Sequence, residues 1–154
     1  MNDEAWFVEY SMFRNDIASS LGTLPSRSHR LAFGMACCQR LLPSYAEFQR
    51  RARWGNFKLV KEVSSILWDR CWNQNLSADM NDFISKLERA SADDEALFEG
   101  LPIPNIRTAQ TVCGALSLAG KYSIGGTEPC IVKVSQTTLD LFLNERLRKI
   151  RENQ

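Results

Sequence analysis

The sequence predicts an all-α protein, a single compact bundle of about six to eight helices formed by residues 1–154 as one domain. Three observations point there. Apolar residues recur at steps of three and four in one segment after another, residues that cap helices stand in front of those segments, and Gly or Pro closes them.

Asp3 can cap a first helix in which Trp6, Tyr10, Phe13, Ile17 and Leu21 form one stripe, and Gly22 ends it. Pro25 with Ser26 or Ser28 opens a second helix. From Leu31 to Cys38 every side chain is apolar or absent, so this helix has no polar face for water and is expected at the centre of the bundle. Pro43 cannot continue the hydrogen-bond ladder, which makes Ser44 to Arg53 a kinked continuation or a fresh short helix.

After Gly55, Asn56 caps a helix with Phe57, Val60, Ser64, Leu67 and Cys71 on one side, widened by Val63 and Trp68. Asn73 to Ala78 is a polar break, and Asp79 caps a helix carrying Met80, Phe83, Ile84 and Leu87. Ser91 with Asp94 resembles a capping box opening a short turn to Phe98, closed by Gly100; Pro102 and Pro104 then make a rigid connector.

Asn105 caps a helix to about Ser123 with Ile106, Ala109, Val112, Cys113, Leu116 and Ala119 inward. Gly114 and Gly120 in it are expected where a neighbouring backbone comes close. Gly125 and Gly126 form a turn, and Thr127 to Ile150 is the last long helix, with Leu139, Leu143, Leu147 and Ile150 on one stripe. Its early part, CIVKV, is β-branched and leaves a strand as the alternative.

A chain of 154 residues, 44% hydrophobic and 24% charged, has an ordinary globular composition and can bury a core without staples. The longest apolar run falls far short of the roughly 20 residues a membrane-spanning helix needs. The acidic start MNDEAW lacks the basic region of a secretory signal. Cys37, Cys38, Cys71, Cys113 and Cys130 are an odd number, so free buried thiols and a cytoplasmic location are expected.

Most reactive chemistry lacks its residues. One histidine, His29, no CxxC and no HExxH leave no metal site to expect, and no glycine-rich phosphate cradle or cofactor motif is present. Cys37 or Cys38 paired with His29 would be a thiol nucleophile, but apolar surroundings raise a thiol's pKa and core filling is the simpler role.

Charge is the informative feature. Arg27, His29, Arg30, Arg40, Arg50, Arg51 and Arg53 make residues 26–54 basic, with Glu47 the only acid among them. Asp79, Asp82, Glu88, Asp93, Asp94, Glu95 and Glu99 make the middle of the chain acidic, opposed by Lys86 and Arg89. The near-neutral total of +1 hides this dipole. The plainer alternative is that the two segments pair with each other and with solvent, as exposed charge runs commonly do. Tyr45, Trp54, Trp68 and Trp72 read as core and rim aromatics rather than a base-stacking platform.

The segment CxRLLPSYAEF resembles the YjaG-like family of bacterial proteins, a domain of unknown function. The matching positions are Phe33, Cys38, Arg40, Pro43, Tyr45 and Phe48, then Trp68, the LERA element at Leu87 to Ala90, Asp93 with Asp94, and KVSQTTL at Lys133 to Leu139. The resemblance implies a compact all-helical fold and no reaction, because the family carries no established catalytic residues.

The functional expectation is therefore a binding protein without catalysis or cofactor, in the form of an immunity protein that neutralises a bacterial toxin domain. Asp93, Asp94, Glu95 and Glu99 would face the partner protein. The alternative is a nucleic-acid or phosphate-ligand binder that holds anions through Arg27, His29, Arg30, Arg50, Arg51 and Arg53.

Overall fold

The computed structural model describes residues 3–73, 79–91 and 103–154. Within them the chain forms α1 (Asp3–Gly22), α2 (Arg27–Gln39), α3 (Leu42–Ala52), α4 (Phe57–Trp72), α5 (Met80–Ala90), α6 (Ile103–Ser123) and α7 (Glu128–Glu152), with no strand. The fold is an all-α bundle. No helix among the described residues is long and apolar enough to cross a membrane.

Three caps fall where the sequence puts them. Ser26 accepts from the His29 N–H, Asn56 from the Leu59 N–H and Asp79 from the Asp82 N–H at the starts of α2, α4 and α5, each satisfying a donor that the first helical turn leaves over. α3 is a fresh helix rather than a continuation of α2. Arg40 and Leu41 form a turn, the Leu41 N–H bonds the Cys38 carbonyl at 2.9 Å, and Pro43 sits in the first turn of α3, where a missing N–H is harmless. Pro104 likewise lies inside the first turn of α6 rather than in a connector, and Asn105, expected as the cap of this helix, is instead a residue of that turn. The CIVKV segment is helical because Ile131 and Val134 are buried on one face of α7, and tertiary burial outweighs β propensity.

The bundle is organised around α6, not α2. α6 packs against α2, α3, α4, α5 and α7. Its buried residues Ile106, Ala109, Val112, Cys113, Ala115, Leu116, Ser117, Ala119 and Tyr122 occupy most of its circumference. The cause is side-chain size, since a helix this rich in Ala, Ser, Thr, Cys and Gly lets several neighbours reach the roughly 8–10 Å spacing of packed helices. α2, despite its unbroken apolar run from Leu31 to Cys38, leaves Phe33 40% exposed. A greasy helix composition thus predicts burial of α2 on one side, through Leu31, Met35, Cys37 and Cys38, and nothing more.

The periphery is less buried than the apolar stripes suggest. Among the α1 side chains described, from Val8 onward, only Ile17 and Leu21 are buried, while Phe13 is exposed. α1 is tied to α7 by Arg14, whose backbone carbonyl accepts from the Gln136 amide at 3.0 Å and whose guanidinium faces Asp140 at 3.6 Å. Leu143, Leu147 and Ile150 on α7 are exposed as well, and Trp72, at the end of α4, stands almost wholly in solvent. Trp68 is half-buried, its indole N–H donating to the Gln39 side chain at 3.3 Å.

The two glycines of α6 behave differently. A Cβ on Gly120 would come 3.0 Å from the Met80 sulfur and 3.2 Å from Ile84, so Gly120 lets α5 approach, through side chains rather than backbone. Gly114 faces open space, contrary to the close approach expected there.

Candidate functional site

The basic segment does not form one anion site. Arg27 and Arg30, at the start of α2, are used by the fold. Arg27 donates to the carbonyls of Tyr122 and Gly126 at 2.7 and 2.8 Å, and its guanidinium lies 4.0 Å from the centre of the Tyr122 ring. Arg30 donates to the carbonyls of Leu21 and Leu24 and pairs with Glu128 at 3.0 Å. These carbonyls belong to the C-terminal ends of α1 and α6, where helix dipoles favour cations. His29 is exposed, its Nδ1 2.7 Å from the Ser26 hydroxyl.

At the other end of the segment, Arg50 and Arg51 both close on Glu47, each at 2.7 Å. Those two guanidiniums hold the Glu47 carboxyl down to about 2. A depressed carboxyl keeps its ion pairs above its ordinary range and loses them only as pH falls towards 2, so this exposed cluster stays closed at neutral pH.

Arg53 is the member left over. It ends α3 in the left-handed conformation, φ 51°, which costs a residue with a side chain roughly 1–2 kcal/mol. The turn that holds it is built from below. Tyr45 is fully buried, its ring packs on Phe48 and Phe57, and its hydroxyl accepts from the Asn56 N–H at 3.1 Å. Gln49 accepts from the Phe57 N–H. Gly55 has φ 116°, and a Cβ there would sit 3.1 Å from the Tyr45 oxygen, so only glycine passes over the ring without strain.

Opposite this turn lies the C-terminal half of α5, and between them opens a cleft of about 600 Å³ lined by Arg53, Trp54, Asn56, Lys86 and Arg89. Arg53 and Arg89 make no ion pair or hydrogen bond among the described residues. Lys86 pairs with Asp82 at 2.7 Å. Trp54 is half-buried, its ring edge-on to Phe48 at 6.3 Å. Sequence reasoning passed over Lys86 and Arg89 because they sit in an acidic stretch; the available signal was their spacing of three, which puts them on one helical face.

The remaining expectations divide. Asp93, Asp94, Glu95 and Glu99 lie outside the described residues, as does the turn from Ser91 to Gly100 beyond its first residue. The five cysteines are free thiols. Burial pushes the Cys37, Cys38 and Cys71 thiols up, Cys71 to about 11, which leaves them protonated and unreactive at neutral pH. Among the described residues no group of three His, Cys, Asp or Glu is placed to hold a metal ion.

Comparison with known proteins places this architecture. The chain is 28% identical over 131 residues to the uncharacterized protein YjaG of Escherichia coli strain K12, a match covering 83% of the chain and 63% of that protein. It is 27% identical, with the same coverage, to the YjaG proteins of Salmonella typhimurium and Salmonella typhi. The chain thus spans less than two thirds of the length of these relatives. The crystal structure of a DUF416 family protein from Shewanella baltica superimposes with a TM-score of 0.70 at 23% identity, over 78% of this chain and 59% of that one. The profile of the family described as a protein of unknown function (DUF416) matches residues 17–144. This chain belongs to the DUF416 family.

Proposed function

We propose that this is a binding protein without catalysis of its own, and that its cleft between the α3–α4 turn and α5 takes a phosphate-bearing ligand. The observation that carries the proposal is that Arg53 and Arg89 meet at one cleft beside Lys86 with no carboxylate answering either guanidinium among the described residues. Gathering like charges is unfavourable, and an anion placed between them relieves it. Guanidinium forks match phosphate oxygens two at a time. At about 600 Å³ the cleft falls inside the usual range for small-ligand sites.

The test is calorimetric titration with inorganic pyrophosphate and with a short single-stranded oligonucleotide at low salt. Arg53→Ala and Arg89→Ala are each expected to weaken binding about tenfold, the scale of one charge-assisted hydrogen bond, whereas Arg50→Ala should leave it unchanged. A steep fall of affinity with salt for the oligonucleotide alone would identify the ligand as a nucleic acid. Absence of binding by both probes at low salt would refute the proposal.

A protein partner is the second reading, and Trp72 favours it. Its side chain is 84% exposed, and tryptophan is the residue type that most often dominates an interface. An immunity protein neutralising a toxin domain is the form we propose for this reading, with a reducing cytoplasm as its compartment, supported by five unpaired thiols. Co-purification from the source cell tests it: Trp72→Ala should weaken any such complex by about 2 kcal/mol or more, and a complex indifferent to Trp72 would remove this support.

A further inference from the structure

A second concavity runs along the outer face of α6, between α5 and α7, on the face that Gly114 leaves bare. It measures about 430 Å³, within the range of small-molecule sites. Leu87 and Leu118 give it an apolar wall, and Lys121 and Lys133 stand at its rim. Gly114 forms part of its floor, and a Cβ built there meets nothing within 4 Å.

Two observations mark this groove as more than a surface furrow. Ser117 lines it and is only 5% exposed, yet its hydroxyl makes no hydrogen bond among the described residues. Serine in a helix ordinarily returns its hydroxyl to a carbonyl one turn back, as Ser135 and Thr138 do on α7. With no protein partner to saturate it, the Ser117 hydroxyl is available to a group that enters the groove. The second observation is charge. Lys121 is held by Glu88 at 3.5 Å, but Lys133 makes no ion pair among the described residues.

We infer that the α5–α6–α7 groove is a binding site for a small organic carboxylate with an apolar body. The carboxylate lies towards Lys133, the Ser117 hydroxyl donates to it, and the apolar part covers Gly114 and packs on Leu87 and Leu118. A larger side chain at position 114 would occupy that space. This inference is independent of the cationic cleft, since no residue lines both.

Octanoate is the probe, with 1-octanol as the uncharged control, followed by amide chemical-shift changes in the intact chain and by calorimetry. Saturable octanoate binding is expected, with the largest shifts at Gly114, Ser117 and Leu118. Lys133→Gln should weaken octanoate roughly fivefold, the scale of one exposed charge pair, and leave octanol unaffected. Gly114→Phe should abolish binding of both, with its helical signal and melting curve serving as the folding control. Arg53→Ala should change nothing, which separates this site from the phosphate cleft. If Gly114→Phe does not fold, the exposed Lys133→Gln carries the test alone. No saturable binding at millimolar octanoate, or binding that neither variant alters, would overturn the inference.

Discussion

Replacing Tyr45 by Ala is expected to destabilise the protein by about 3–5 kcal/mol, the cost of removing a large aromatic ring from a closed core. Tyr45 is 0% exposed, packs against Phe48 and Phe57, and bonds the Asn56 N–H that opens α4. Denaturant unfolding followed by far-ultraviolet circular dichroism measures the loss. A drop below about 1 kcal/mol would mean that the ring is not enclosed as described.

Tyr45→Phe separates the ring from its hydroxyl. It should cost only about 1 kcal/mol, the net worth of one hydrogen bond. Burial, the leading cause, pushes the Tyr45 hydroxyl up from its ordinary value to about 12. A raised phenol favours the neutral form in the folded state, so its contribution to stability is complete below pH 10 and is lost as pH rises towards 12. Tyr45→Phe should therefore flatten the alkaline limb of the stability curve while leaving the acid limb as it was. Tyr10 is likewise raised to about 12, and will keep part of that limb in the variant. The hydroxyl also supports the turn that presents Arg53, so Tyr45→Phe should weaken pyrophosphate binding more than its small stability cost accounts for.

What could be read from the sequence follows from the range of each interaction. Caps and stripes are local, which is why Asn56, Asp79 and the Val60–Val63–Leu67–Cys71 face of α4 stand where their spacing puts them. Centrality is not local. It depends on how many partners a helix admits, and the small residues of α6 decide that more than the hydrophobicity of α2 does. The cationic cleft was half visible, through Arg53, because its other half comes from α5 and joins it only in the folded chain.

Arg27→Ala is expected to cost roughly 2 kcal/mol, more than an ordinary surface substitution, and to leave anion binding untouched. As a sequence feature Arg27 looks like an unanswered cation at a helix N-terminus, where its own dipole disfavours it. Its partners lie 95 and 99 positions away, at the carbonyls of Tyr122 and Gly126. These flank a turn that is itself tightly specified: Gly125 has φ 110°, its N–H bonds the Tyr122 carbonyl, and the Gly126 N–H bonds the Lys121 carbonyl at 2.9 Å. That pair of bonds is the Schellman closure of α6. Arg27 adds a second bond to the Tyr122 oxygen that the closure uses and takes up the Gly126 oxygen beyond it, and its 44% side-chain exposure keeps the effect below that of a fully buried ion. The Glu128 carboxylate, bonded by Arg30 and by the Tyr122 hydroxyl at 3.1 Å, joins the same network from α7. Glu128→Gln should consequently lower stability in the same direction, and the double variant with Arg27→Ala should fall short of the sum, because the two groups share partners. Strict additivity in that cycle, or a loss of pyrophosphate affinity in Arg27→Ala, would show that Arg27 serves a ligand rather than the helix ends.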